Sequence, residues 1–174
     1  MNKVSRLIFV VLCSIATATA FAESGPLNDA QIADVAATAN TVDIDGGKLA
    51  EKKSHNKKVQ AFAKEMVTDH SRLNKQASAL AKKIHLTPES SDLSESLKKD
   101  GETNMDKLEK LTGKAFDTAY VDNEVTMHQT VLDTLDKTLI PEAKNPELKR
   151  MLLKVRPIIE EHLQHAKRLQ AMLQ

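Results

Sequence analysis

The sequence is poor in several things at once. It has no Trp, one Tyr, four Phe, five Gly, five Pro and one Cys among 174 residues. Strands favour aromatic and β-branched side chains, so this composition fits helices with wet outer faces and argues against a sheet protein. The lone cysteine, Cys13, lies near the start of the chain behind Leu12. Leu12 is too large for a lipoprotein signal, and one thiol excludes disulfides within the chain and Fe–S ligation. Charge of one sign is also missing: 25 basic against 24 acidic residues give a net charge of +1. Without a strong basic field, nucleic acid is not an expected partner. No Gly-rich phosphate loop, no nucleophile elbow around any Ser and no flavin or nucleotide signature is found.

The N-terminus reads as an export signal. Lys3 and Arg6 precede an apolar run from Leu7 to Ile15, and Ala20-Phe21-Ala22 supplies a small-residue cleavage site. The run is shorter than the roughly 20 apolar residues of a membrane span. Residues 1–22 are therefore expected to be cleaved, 23–28 to form a leader and 29–174 to form one helical domain with no transmembrane segment. Removing Lys3 and Arg6 leaves that mature chain at −1. The expected location is the periplasm, with peripheral association with a membrane left open.

Apolar periodicity predicts a first helix from about Asp29 to Ser54, interrupted in pattern by Gly46-Gly47, and a second from about Lys57 to Ile84. A shorter helix follows the Thr87–Ser91 loop, carrying Leu93, Leu97 and Leu108, and breaks at Thr112-Gly113. Two more run from near Lys114 to Ile140 and from about Asn145 to the C-terminus, the last with Pro157 inside it, where a bend is expected. Four long helices and one short one predict an antiparallel four-helix bundle in which the short helix occupies the crossover between the second and third long helices.

Polar residues on the apolar stripes are the candidate site. His70 lies between Met66 and Leu73, His162 between Ile159 and Leu163, and His128 at the inner edge of its stripe. Asp43 returns to the face of Ile32 after about three turns. Glu124 and Asp117 share a side with His128, and Tyr120 is near. Buried charges need a partner or a metal, so His70, His128, His162, Asp43 and Glu124 form a candidate site for iron, copper or zinc, supported by Asp69, Asp117 and Tyr120. The competing reading is a polar network that fixes helix register. Counting residues from the turns leaves Asp43 and His70 about 6 Å apart in height and levels His162 with Glu124 rather than His128. His165, four residues after Glu161, reads as part of a surface ion pair.

These residues resemble a family. Val42-Asp43-Ile44-Asp45-Gly46-Gly47, Phe62-Ala63-Lys64-Glu65-Met66-Val67-Thr68-Asp69-His70, Phe116-Asp117-Thr118-Ala119-Tyr120, His128 and the pairing of Pro157 with His162-Leu163 are similar to a ferritin-like domain of unknown function, found in bacterial proteins often labelled as outer-membrane proteins. The resemblance implies a ferritin-like bundle in the cell envelope and no established activity. Charged outer helix faces do not make a membrane barrel. Di-iron bundles need Glu-x-x-His pairs. Here Val67, Val125 and Ile159 stand where those glutamates would be, so ferroxidase chemistry is not expected. Three roles remain: a non-enzymatic bundle serving an envelope or stress partner, a metal-binding bundle, and a peripheral lipid-associated protein. The partner is unassigned, and a homodimer is left open.

Overall fold

The computed structural model describes residues 25–174; the expected signal, 1–22, and the leader residues Glu23 and Ser24 lie outside the described residues. The chain forms α1 (Asp29–Lys53), α2 (Lys57–Lys83), α3 (Asp92–Glu109), α4 (Gly113–Thr134) and α5 (Pro146–Leu173). A π-helical turn, Leu135–Leu139, and a last turn, Ile140–Glu142, extend α4. No strand occurs among the described residues.

The helix starts follow from local chemistry. Asn28 and Gln31 form a capping box on α1, and Ser91 and Ser94 form one on α3. The Asn56 side chain accepts from Lys58 N on α2, and Asn145 accepts from Glu147 N and Leu148 N ahead of Pro146 at the first turn of α5. Such side chains satisfy amides that a helix start leaves without partners. The end of α2 is closed by His85 at φ +54°, with Leu86 N bonded to Ala81 O at 2.8 Å.

Hydrogen bonds at the two ends set the topology. Glu89 N donates to Ala30 O, while Lys144 N and Asn145 N donate to Asp29, bringing the start of α1 beside the α2–α3 loop and the α4–α5 connection. At the opposite end, Lys53 Nζ bonds to Leu108 O and Glu109 O, and Lys58 lies against Met172. Hence α1, α3 and α5 run one way and α2 and α4 the other. α3 is the long crossover that carries the chain back along α1. It is held close because Gly101 faces Val42, where an added Cβ would come within 2.7 Å of a valine methyl.

Gly46 and Gly47 do not break α1. Gly47 permits a close approach instead. A Cβ there would stand 2.8 Å from Val67 and 3.1 Å from the Ala63 carbonyl of α2. Pro157 likewise lies within an unbroken α5.

The core is divided. One apolar cluster, with Phe62, Met66, Phe116 and Tyr120, fills the end near the α1–α2 turn. A second, with Ile32, Val35, Leu135, Leu152 and Ile159, fills the other end. Between them, at mid-height on all four long helices, lies a layer of buried polar residues.

Candidate metal centre

Each long helix contributes to this layer from the middle of its apolar stripe: Asp43 and Asn40 from α1, His70 from α2, Glu124 and His128 from α4, and His162 from α5. Asp43, Glu124 and His128 are 1% exposed, and His70 and His162 are 3% exposed. The three imidazoles form a triangle, with ring centroids 5.6 Å apart for His70–His128, 5.2 Å for His70–His162 and 5.5 Å for His128–His162. One nitrogen from each ring lies within 4.8 Å of the others. His162 thus stands level with His128. Counting from the turns levels it with Glu124 instead, because such counting assumes that every helix starts at the same height. The 6 Å offset between Asp43 and His70 also disappears, since their contact is 3.2 Å.

Hydrogen bonding orients each ring from outside the triangle. His70 Nδ1 donates to Asn40 Oδ1 at 2.8 Å; the Asn40 amide is turned that way because its Nδ2 donates to Asn74. His128 Nδ1 donates to the Glu124 carbonyl at 3.0 Å. His162 Nε2 donates to the Asp69 carboxylate at 3.1 Å. Each ring therefore has its proton on the outward nitrogen and a lone pair on the inward one. The inward atoms, His70 Nε2, His128 Nε2 and His162 Nδ1, are buried without a hydrogen-bond partner, as are both Asp43 carboxylate oxygens.

Asp43 Oδ2 lies 3.2 Å from His70 Nε2 and 3.4 Å from His128 Nε2. A carboxylate facing two lone pairs is an acceptor meeting acceptors, an arrangement that needs a proton or a cation between them. Two ligands held at 2.0–2.1 Å around a tetrahedral ion stand about 3.3 Å apart, which is the spacing of Asp43 from His70 and from His128. Outward hydrogen bonds that fix the tautomer of each imidazole are the usual support of metal-ligating histidines.

Burial sets the charge state. It pushes the Asp43 carboxyl up to about 8. It also raises Glu124, reinforced by the Asp43 charge, and raises Tyr120, reinforced by Glu124. Burial lowers His128 to about 4, with the nearby His162 charge adding to the shift, and lowers His70 well below its ordinary value. Burial opposes the charge on Asp69, but its bonds to Arg72 and His162 prevail and lower it.

The remaining expected residues divide. Glu124 Oε2 approaches the outward nitrogen of His128 at 3.4 Å, and Glu124 also forms a ligand-spaced group with Asp43 and His128. Asp69 orients His162. Asp117 is buried with Oδ1 unpartnered but joins no ligand-spaced group. Tyr120 packs on Phe116 and Phe62 beside Glu124. His165 pairs with Glu65 of α2 at 2.9 Å, not with Glu161 of its own helix. Asn40 escaped the sequence reading. Its one signal was its place one turn before Asp43 on the same face.

The sequence profile described as a domain of unknown function, DUF4142, matches residues 15–169. No protein with a curated description matches significantly. Among solved structures, the chain is similar to a DUF305 protein from Streptomyces coelicolor, provisionally named as secreted. Identity is 14%, the match covers 82% of this chain and 91% of that one, and the TM-score is 0.69. At that identity the likeness concerns fold alone.

Proposed function

We infer, from the premise that this chain belongs to the DUF4142 family of unknown function, that its role must be read from the buried layer, and we propose that it binds one divalent transition-metal ion through His70, His128, His162 and Asp43. One observation carries this reading: four inward groups, one on each long helix, are buried without hydrogen-bond partners, with one nitrogen of each ring within 4.8 Å of the others and Asp43 in contact with two of the rings, while every ring is anchored from outside. A register-fixing network accounts less well for the cluster, because such networks satisfy their members. A proton on Asp43 can satisfy one of the two imidazole nitrogens it faces, and it leaves the other, together with His162 Nδ1, without a partner. Imidazole with one carboxylate suits zinc, copper or iron. Glu124, Asp69 and Asn40 act as supports that hold the rings.

We also read the protein as a ferritin-like bundle with a one-ion site in place of a di-iron one; the single long crossover and the bundle core support that reading. We further read residues 1–22 as a cleaved signal and the mature chain as periplasmic. Support comes from the basic, apolar and small-residue succession at the N-terminus and from the absence, among the described residues, of any helix long and apolar enough to cross a membrane. N-terminal sequencing of the protein from its native host should begin at Glu23; a chain beginning before Leu7 would overturn the export reading.

The metal reading is tested on untagged protein from its native compartment. Elemental analysis should find about one transition-metal ion per chain. The chelator-stripped protein should gain thermal stability on adding zinc or copper. Saturation at a thousand times the dissociation constant corresponds to about 4 kcal/mol. Protein that carries no metal and whose melting is unmoved by either ion would refute the proposal.

A further inference from the structure

The buried layer is closed on most sides. Apolar clusters fill the bundle at both ends of it, and a divalent ion stripped of water does not cross such regions. Gly47 packs α1 against α2, and Gly101 packs α3 against α1. Between α2 and α5 the fit is looser: Ala77, Leu80, Ala81 and Ile84 of α2, and Met151 and Val155 of α5, are each only partly covered. Two hydrogen-bonded chains lead from the rings toward the surface. One runs from His70 through Asn40 to Asn74, and both amides are neutral. The other runs from His162 to Asp69, a carboxylate whose side chain is 28% exposed, and it emerges at the seam of α2 and α5. Of the two, the anionic chain is the one that suits a cation.

At that seam Asp69 is not alone. Glu65 lies one turn before it on α2, and His165 lies three residues after His162 on α5, so each helix turns two such side chains toward the other. One oxygen of Glu65, one of Asp69 and one nitrogen of His162 lie within 4.8 Å of one another, a spacing that a metal ion spans. His165 Nδ1 stands 2.9 Å from Glu65 Oε2, and its ring is held edge-on to Phe62 with centroids 5.0 Å apart. Both side chains of that pair are open to water. Two carboxylates and an imidazole are ligands for zinc and its neighbours. Arg72 holds the other side of Asp69 at 3.0 Å, but its side chain is half exposed, and a surface pair of this kind is worth little. Glu160 and Glu161 line the same surface depression as Glu65, His165 and Arg168. Acid remains in excess there even with Glu160 paired to Arg156. The outer cluster and the buried triangle share a ring: His162 puts Nε2 in the first and Nδ1 in the second.

We propose that Glu65, Asp69 and His165 form a surface capture site for a divalent transition-metal ion, which passes from there to the buried triangle as Asp69 releases the His162 ring. The proposal rests on the metal reading above and adds the route. A stop on the route changes the rates of entry and of escape by one factor and leaves the equilibrium alone. Zinc uptake by the chelator-stripped mature chain is followed by stopped flow with a zinc-sensitive dye. Release is followed by mixing loaded protein with EDTA, at concentrations where the rate no longer depends on EDTA. With Glu65→Gln and His165→Gln combined, both rates should fall at least about tenfold while the dissociation constant stays within about twofold. Glu161→Gln removes the same charge from the same depression and should slow uptake less than about threefold. Because His165 packs on Phe62, the double variant can fail to fold; Glu65→Gln alone then carries the test, with about a fivefold loss in both rates. Rates left unchanged overturn the route. So does an equal loss in Glu161→Gln, which is attraction by surface charge alone, and so does a weakened dissociation constant with release unslowed. Each of these leaves the buried site standing. Wild-type protein that takes up no zinc overturns the metal reading, and the route with it.

Discussion

Asp43→Asn should cost the protein its metal while leaving the metal-free fold at least as stable at neutral pH. Asp43 is the carboxylate in contact with two free imidazole nitrogens, at 3.2 Å and 3.4 Å. The amide has the same shape but no charge, and a divalent ion among neutral ligands in a buried site lacks compensation. We expect at least about a 100-fold loss of zinc affinity, near 2.7 kcal/mol. The fold responds in the opposite direction. Burial disfavours the ionised carboxylate, as its pKa of about 8 records, and the amide removes that penalty. The new amide N–H groups can donate to His70 Nε2 or His128 Nε2, both unpartnered. A purely structural Asp43 predicts otherwise: no change in zinc binding and a weaker fold. Competition with a chelator reads the first quantity, and urea unfolding in EDTA reads the second. Retained zinc affinity would remove Asp43 from the ligand set. A metal-free fold weakened by more than about 1 kcal/mol, the net value of a typical hydrogen bond, would assign it a structural role.

The layer was legible because burying an ionisable group in an apolar stripe is costly, so His70, His128, His162 and Asp43 stand out against their neighbours by periodicity alone. Sequence also gave the crossover helix, through the Thr87–Ser91 loop and the break before Gly113. What it could not carry was phase between helices. The level of His162 depends on where α5 starts relative to the other helices, and the bonds of Asp29 to Lys144 and Asn145, over a hundred residues apart in the chain, pin that start beside the start of α1. Nor could it reveal which nitrogen of each ring is free, since that is decided by Asn40, Asp69 and a backbone carbonyl. The loose cover of α2 beyond Leu73 was hidden for a different reason. Ala77, Leu80, Ala81 and Ile84 have the spacing of core residues, and periodicity cannot tell a stripe that meets a neighbour from one that faces a gap. The π turn was hidden likewise, because Leu135 and Leu139 keep α-helical spacing.

Stability and metal affinity should move oppositely with pH. Asp43 has a pKa near 3.8 when unfolded and about 8 when folded, so between these values the native state holds a proton the unfolded chain lacks. Its contribution is whole below pH 4 and is lost as pH rises through 8. His128 works the other way: its pKa falls from 6.5 to about 4, so its contribution is present above 6.5 and lost as pH falls through 4. The two oppose each other from pH 4 to 6.5, as do Glu124, also raised, and His70, also lowered, so stability there should be nearly flat. Above 6.5 the Asp43 slope is unopposed and Glu124, also raised, adds to it. At about 1.4 kcal/mol per proton per pH unit, Asp43 alone should remove about 2 kcal/mol from metal-free protein between pH 6.5 and 8. Zinc must displace the same proton, whereas His70 and His128 are already free of theirs. Affinity should therefore rise roughly 50-fold from pH 6 to 8. Zinc-saturated protein should accordingly gain stability, relative to the metal-free form, over the range in which the metal-free form weakens. Urea unfolding at pH 6, 7 and 8, with EDTA and with excess zinc, measures both. A zinc affinity independent of pH would mean that no proton leaves Asp43 on binding, and hence that the ion does not sit beside it.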